Sequence, residues 1–128
     1  MIKLGDFGLA VQLEHSCSRR STLCGTSMYM GPEVYDGGVC LKSDVWALGM
    51  SVIEMAESKN PFASYTTAQV MNRVMNMPPP SLSSSGWSSD LVDFVKKCLV
   101  KDVKKRASVN DLLKVSAVLR CVRISTRS

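Results

Sequence analysis

Asp6-Phe7-Gly8 is the first place in this chain where residue types and spacing could do chemistry. Ile2 and Leu4 alternate with Lys3 and Gly5, a short strand pattern, and Asp6 stands where that pattern breaks into a turn. A carboxylate there can reach a metal ion. Phe7 would be an apolar plug behind it, and Gly8 would let the following chain swing away. The same tripeptide also makes a plain Asp-x-Gly turn, so alone it leaves both readings open. Five cysteines, at 17, 24, 40, 98 and 121, contain no Cys-x-x-Cys, and the single His15 lies in a polar stretch. That pattern argues against a zinc site and suits a reducing compartment.

The elements that must position such a carboxylate are arranged around residues 43–56, Ser-Asp-Val-Trp-Ala-Leu-Gly-Met-Ser-Val-Ile-Glu-Met-Ala. After Asp44 only Ser51 and Glu54 interrupt the apolar run, which predicts a helix buried on all sides. It is too short for a bilayer, which needs roughly 20 such residues. Ser43 or Asp44 is the expected cap. Gly49 costs about 1 kcal/mol in a helix interior and predicts that another backbone passes close by.

Before this post, Leu9, Ala10, Val11 and Leu13 suggest a second short strand, and residues 14–27 read as a long loop of Ser, Thr, Cys and Arg. Pro32 opens a helical turn through Tyr35 that Asp36-Gly37-Gly38 ends. After the post, Thr66-Thr67-Ala68-Gln69 has capping-box spacing ahead of a helix with Val70, Met71, Val74 and Met75 on one face. Met77 and the prolines at 78–80 stop it. Ser88 or Ser89 caps a helix with Leu91, Val92, Val95, Cys98 and Leu99 at helical spacing. Ser108-Val109-Asn110-Asp111 is a second capping box, with Val109, Leu112, Leu113 and Val115 expected inward.

At 128 residues and 14.0 kDa the chain suits one core. Its 45% hydrophobic and 21% charged residues are those of a globular protein. The net charge of +5 is weighted toward the end, in Lys101, Lys104, Lys105, Arg106, Arg120, Arg123 and Arg127. Such a surplus could favour an anionic partner such as nucleic acid or a phosphate-rich surface. It reads first as a solvated connector and tail, with neither nucleic acid nor membrane as partner. Nothing at the N-terminus resembles a secretory signal, so cytoplasm is the expected location, with the nucleus as an alternative.

Taken in order, Lys3-Leu4-Gly5-Asp6-Phe7-Gly8-Leu9-Ala10, Gly25-Thr26, Tyr29-Met30-Gly31-Pro32-Glu33, Ser43-Asp44-Val45-Trp46-Ala47-Leu48-Gly49 and Lys105-Arg106-Ala107-Ser108 resemble the eukaryotic protein kinases. The resemblance covers residues 2 to about 114. Gly25-Thr26 looks like the serine/threonine class. The Tyr-Met-x-Pro-Glu run and Asn60-Pro61-Phe62 look like the MAP-kinase-kinase or a related upstream-kinase branch.

The resemblance implies a mainly α fold: the C-terminal lobe of a kinase-like domain, incomplete, with short strands, an activation loop and a helical subdomain. Residues 1–33 would carry the metal motif and loop, 34–119 the helical subdomain, and 120–128 a basic tail. Asp6 would bind the Mg²⁺ on ATP, with Phe7 and Gly8 completing the cofactor motif. Ser21 and Thr22 are the implied phosphorylation sites for an upstream kinase, each phosphate adding about −1.5 to −2 charge near Arg19 and Arg20. Thr26 would line the entry of a protein substrate's hydroxyl. Glu33 and Arg106 would form a structural ion pair, which also suits a Glu at a helix start and a two-pronged Arg. Asp44 would brace the catalytic loop. Gly31 departs from the family's usual small residue, which loosens the loop without touching a role.

The family's glycine-rich loop, strand lysine with its glutamate, and His-Arg-Asp loop are not in this sequence. No catalytic residue is therefore assigned, and the expectation is part of a kinase domain, inactive alone. The alternative is a non-catalytic binding or scaffold module using residues 66–77. Either way the face of 45–56 that a preceding helix would cover is expected to be an apolar patch.

Overall fold

The computed structural model describes residues 1–13, 15, 17–19, 26–82 and 85–115. Ser21, Thr22 and the 120–128 tail lie outside the described residues. The elements, in order, are β1 (Cys17–Arg19), α1 (Pro32–Tyr35), β2 (Gly38–Cys40), α2 (Ser43–Glu57), α3 (Thr67–Asn76), α4 (Ser89–Cys98) and α5 (Val109–Leu113), with 3₁₀ turns at Phe7–Leu9 and Ser27–Tyr29. The fold is mainly α.

α2 is the central post, with Val45, Trp46, Gly49, Met50 and Ile53 buried. These positions recur on one face of the helix. α4, the Ser27–Tyr29 turn and β2 pack against α2. Burial on all sides is not observed: Leu48 is 42% exposed and Met55 73%. The neighbours cover only one side of the post.

Neither Ser43 nor Asp44 is the cap. Lys42 occupies that position without a side-chain bond. Ser43 is already helical, and its hydroxyl accepts from the Cys40 amide at 3.1 Å, closing the turn from β2 into α2. The chain that passes close to Gly49 is the end of α4, which meets it through Cys98 and Leu99. A Cβ at this position would lie 2.6 Å from Cys98 Cβ and 2.9 Å from Leu99.

The expected strands at residues 2–4 and 9–13 do not form. Ile2 and Leu4 are almost fully exposed, and Phe7–Leu9 is a 3₁₀ turn. Strand signal without a partner ladder gains little, because paired neighbours supply most of a strand's stability. The strands lie instead inside the stretch read as a loop and just after Gly37. They pair antiparallel, Cys17 with Cys40, Ser18 with Val39 and Arg19 with Gly38. Gly37, at φ 78°, makes the turn, and Gly38 begins β2 rather than ending the turn.

The remaining helices start as their local chemistry dictates. The Thr66 hydroxyl accepts from the Gln69 amide at 3.3 Å while the Thr66 amide donates to Gln69 Oε1 at 2.9 Å. Ser88 accepts from the Leu91 amide, and Ser108 and Asp111 make the second reciprocal cap. Val70 and Val74 of α3 are buried and Met75 is half-buried, but Met71 turns outward. In α5 only Leu112 is buried, followed by Val115, whereas Val109 and Leu113 are exposed. A helix of five residues has a single inward position per turn, so the wider apolar stripe cannot all face the core.

Candidate functional site

Among the described residues the most heavily bonded side chain is Arg106. The connector that carries it is shaped by Asp102, whose side chain accepts from the Lys104 amide at 2.9 Å and whose carbonyl accepts from the Arg106 amide. Glu33 is presented by the first turn of α1, where Pro32 at the start is pre-set for a helix and the acid suits the dipole.

The two meet in parallel: Arg106 Nη1 donates to Glu33 Oε1 at 2.7 Å and Nη2 to Oε2 at 2.8 Å. Nη1 also donates to the Lys42 carbonyl and Nε to the Val100 carbonyl, both at 2.8 Å. The guanidinium lies 5.1 Å from the centre of the Trp46 ring. Trp46 Nε1 is buried without a hydrogen-bond partner among the described residues. Burial alone would raise the Glu33 pKa. The Arg106 bonds and charge, a backbone bond and the Ser43 hydroxyl outweigh it and hold the carboxyl below its ordinary range. A Cβ at Gly31 would sit 2.8 Å from the Glu33 oxygens, so Gly31 leaves the carboxylate its place.

A second polar cluster ties the same segment to α2. Tyr29 donates to Glu54 Oε2 at 2.5 Å, Asn60 Nδ2 donates to the same oxygen at 3.0 Å, and Asn60 Oδ1 accepts from the Phe62 amide at 2.8 Å. The hydrogen bond to Tyr29, then that to Asn60, lowers the Glu54 pKa. In turn Glu54 raises that of the Tyr29 phenol. Tyr35 donates to the Ser27 carbonyl at 2.8 Å. Sequence reasoning did not assign Tyr29, Glu54 and Asn60 to a shared site. The available signal was Glu54 itself, an acid interrupting an otherwise apolar helix.

The other assigned residues lie apart. Asp6 is exposed, in a left-handed conformation at φ 61° that Asp tolerates better than most residues. Phe7 is 68% exposed. Thr26 is exposed ahead of the Ser27–Tyr29 turn, and Asp44 is exposed in the first turn of α2. Among the described residues no group of three or more His, Cys, Asp or Glu could hold a metal ion. Asp6, among the described residues, belongs to no such group. Among the described residues no helix is long and apolar enough to cross a membrane.

Residues 1–117 match the family model described as the protein kinase domain. The chain is 40% identical over 114 residues to serine/threonine-protein kinase hippo of Drosophila melanogaster, covering 87% of this chain and 17% of that protein. It is 44% identical over 126 residues to serine/threonine-protein kinase 1 of Arabidopsis thaliana, covering 94% of this chain and 15% of that protein. The chain therefore spans less than a fifth of the length of these relatives.

Proposed function

Since the chain belongs to the protein kinase domain family, we propose that it is part of a serine/threonine kinase that transfers the ATP γ-phosphate to a protein hydroxyl in a signalling cascade. Both relatives above carry serine/threonine kinase names. The observation that carries the reading is the two-pronged Glu33–Arg106 bond, which fastens the end of the loop segment to the helical base across 73 positions of sequence.

In this reading residues 1–33 are the metal motif and activation loop of the C-terminal lobe, 34–119 its helical subdomain and 120–128 a tail. ATP and Mg²⁺ serve the complete domain, and Asp6 contributes one carboxylate to them, beside Phe7 and Gly8. An upstream kinase modifies Ser21 or Thr22, Thr26 lines the substrate entry, and Asp44 braces the catalytic loop. Tyr29-Met30-Gly31-Pro32-Glu33 and Asn60-Pro61-Phe62 favour an upstream branch akin to the MAP-kinase kinases. The cytoplasm or nucleus is the setting.

The test is a chimera in which residues 1–117 replace the matching part of the fly kinase. It should phosphorylate serine or threonine peptides but not tyrosine peptides, and Asp6→Asn should abolish the activity. A folded chimera that is inactive, or that modifies tyrosine, would overturn the reading. The isolated chain, lacking the phosphate cradle, should show no thermal stabilisation by Mg-ATP, and saturable stabilisation would contradict that expectation.

A further inference from the structure

Arg106 also lines a cavity of about 440 Å³ bounded by the end of α4, the connector after it, and the residue before α2. That volume is within the range of small-ligand sites. Lys42, Lys96, Lys97, Lys104, Lys105 and Arg106 supply six cations to its lining, against Asp93 and Asp111. Both acids are already engaged. Asp93 pairs with Lys97 one turn along α4, and Asp111 accepts from the amide and hydroxyl of Ser108. Six cations against these two carboxylates and Glu33, the partner of Arg106, leave a net +3.

The surplus rests on four lysines from three separate segments: Lys42 ahead of α2, Lys96 on α4, and Lys104 with Lys105 in the connector. None forms a direct ion pair among the described residues, although, after the Ser108 bonds, the Lys42 charge helps to hold the Asp111 pKa down. The Lys42 ammonium is drawn across to the Lys104 carbonyl at 3.3 Å rather than left trailing in solvent. The connector is held by the Asp102 bonds and the buried Arg106. Like charges gathered around a hollow repel one another, and an anion placed among them relieves that repulsion.

We infer that this cavity binds a small soluble anion bearing several clustered phosphate groups, of the inositol polyphosphate class. The lining has no aromatic side chain on which a base could stack, which disfavours single-stranded nucleic acid. The lysines come from three segments around an open depression that Val100 and Ala107 also line, which suits a compact anion better than an extended membrane surface. An occupant bridging Lys42, Lys96 and Lys105 would join the start of α2 to α4 and the connector, the segments that hold Arg106 against Glu33.

Equilibrium dialysis of the full 128-residue chain against labelled inositol hexakisphosphate, at about physiological ionic strength, tests this. The expected result is saturable binding of one molecule per chain. Affinity should fall at least about tenfold in Lys96→Ala/Lys105→Ala and by less than about twofold in Lys3→Ala/Lys59→Ala, whose lysines do not line the cavity, as expected for local rather than overall charge. All four lysines are exposed, so neither variant disturbs the core. The charge-preserving Lys96→Arg/Lys105→Arg should retain binding. Absence of saturation, equal losses in the two alanine variants, or tighter binding to phosphoinositide vesicles or an RNA oligonucleotide would overturn the assignment. Anion binding needs no phosphoryl transfer, so this result is independent of the chimera's.

Discussion

The Tyr29 phenol donates to the Glu54 carboxylate at 2.5 Å, joining the segment ahead of α1 to the middle of the central helix. The Tyr29 bond first, and then the Asn60 amide donating to the same oxygen, hold the Glu54 carboxyl below its ordinary range. With Glu33–Arg106 it makes two polar fastenings from residues 26–35 to the helical base.

The pH dependence of this bond has two limbs. The raised Tyr29 pKa favours the neutral phenol in the folded state, so its stabilisation is present below the ordinary phenol range and lost as pH rises through the folded value. The depressed Glu54 pKa gives a contribution present above the ordinary carboxylate range and lost as pH falls through the folded value. Glu54→Gln should therefore bring the Tyr29 titration back down toward its ordinary value, read by phenolate absorbance. An unmoved titration would show that the bond is not formed in solution.

Arg106→Ala should destabilise the chain by about 3–5 kcal/mol, because it leaves the Glu33 carboxylate and three backbone carbonyls without their donor. Arg106→Lys should recover little of this, since an ammonium cannot reproduce the two parallel bonds. Urea unfolding measures both. Glu33 has a depressed pKa, so its contribution is present above the ordinary carboxylate range and lost as pH falls through the folded value. Glu33→Gln should flatten that acid limb.

Gly49→Ala tests the contact between α2 and α4. Alanine gains about 1 kcal/mol in helix propensity. The new methyl, however, would lie 2.6 Å from Cys98 Cβ, an atom fixed to its own backbone, so the helices must separate. Overpacking costs about 1–3 kcal/mol and should win, giving a lower urea midpoint. An unchanged or raised midpoint would mean that α4 shifts freely.

Burial raises the Cys98 thiol pKa to about 12 despite the opposing charge of Arg106. The thiolate is the reactive form, so Cys98 should resist iodoacetamide in the folded chain and react once urea exposes it. Mass spectrometry of Cys98-containing peptides reads the difference.

Met55→Lys should raise solubility while changing stability by less than about 0.5 kcal/mol, because Met55 is 73% exposed. Sedimentation velocity would show less self-association than in the parent chain. Equal association would locate the adhesive surface elsewhere.

What was legible in the sequence was what is decided locally. Thr66 with Gln69, Ser88, and Ser108 with Asp111 identify helix starts because each cap is made within three residues. The central helix is legible from its length and apolarity. Which of its faces is covered depends on distant neighbours, so apolarity alone does not tell that Leu48 and Met55 are the exposed ones. Strands fared worst: β1 and β2 are three residues each, too short to show alternation, while the alternation at residues 2–4 has no ladder to join. At the site, the types of Glu33 and Arg106 suggested a two-pronged bond, but the carbonyls of Lys42 and Val100 that complete the Arg106 shell carry no sequence signal. Nothing in the spacing around Asn60 signals that its amide bridges Glu54 and the Phe62 backbone.

One planar cation thus receives its acceptors from α1, from the residue entering α2 and from the connector that follows α4. None of these three can fray alone without stranding a donor in the interior. Local opening of any one is coupled to the others, and their amides should exchange with solvent as a single cooperative unit.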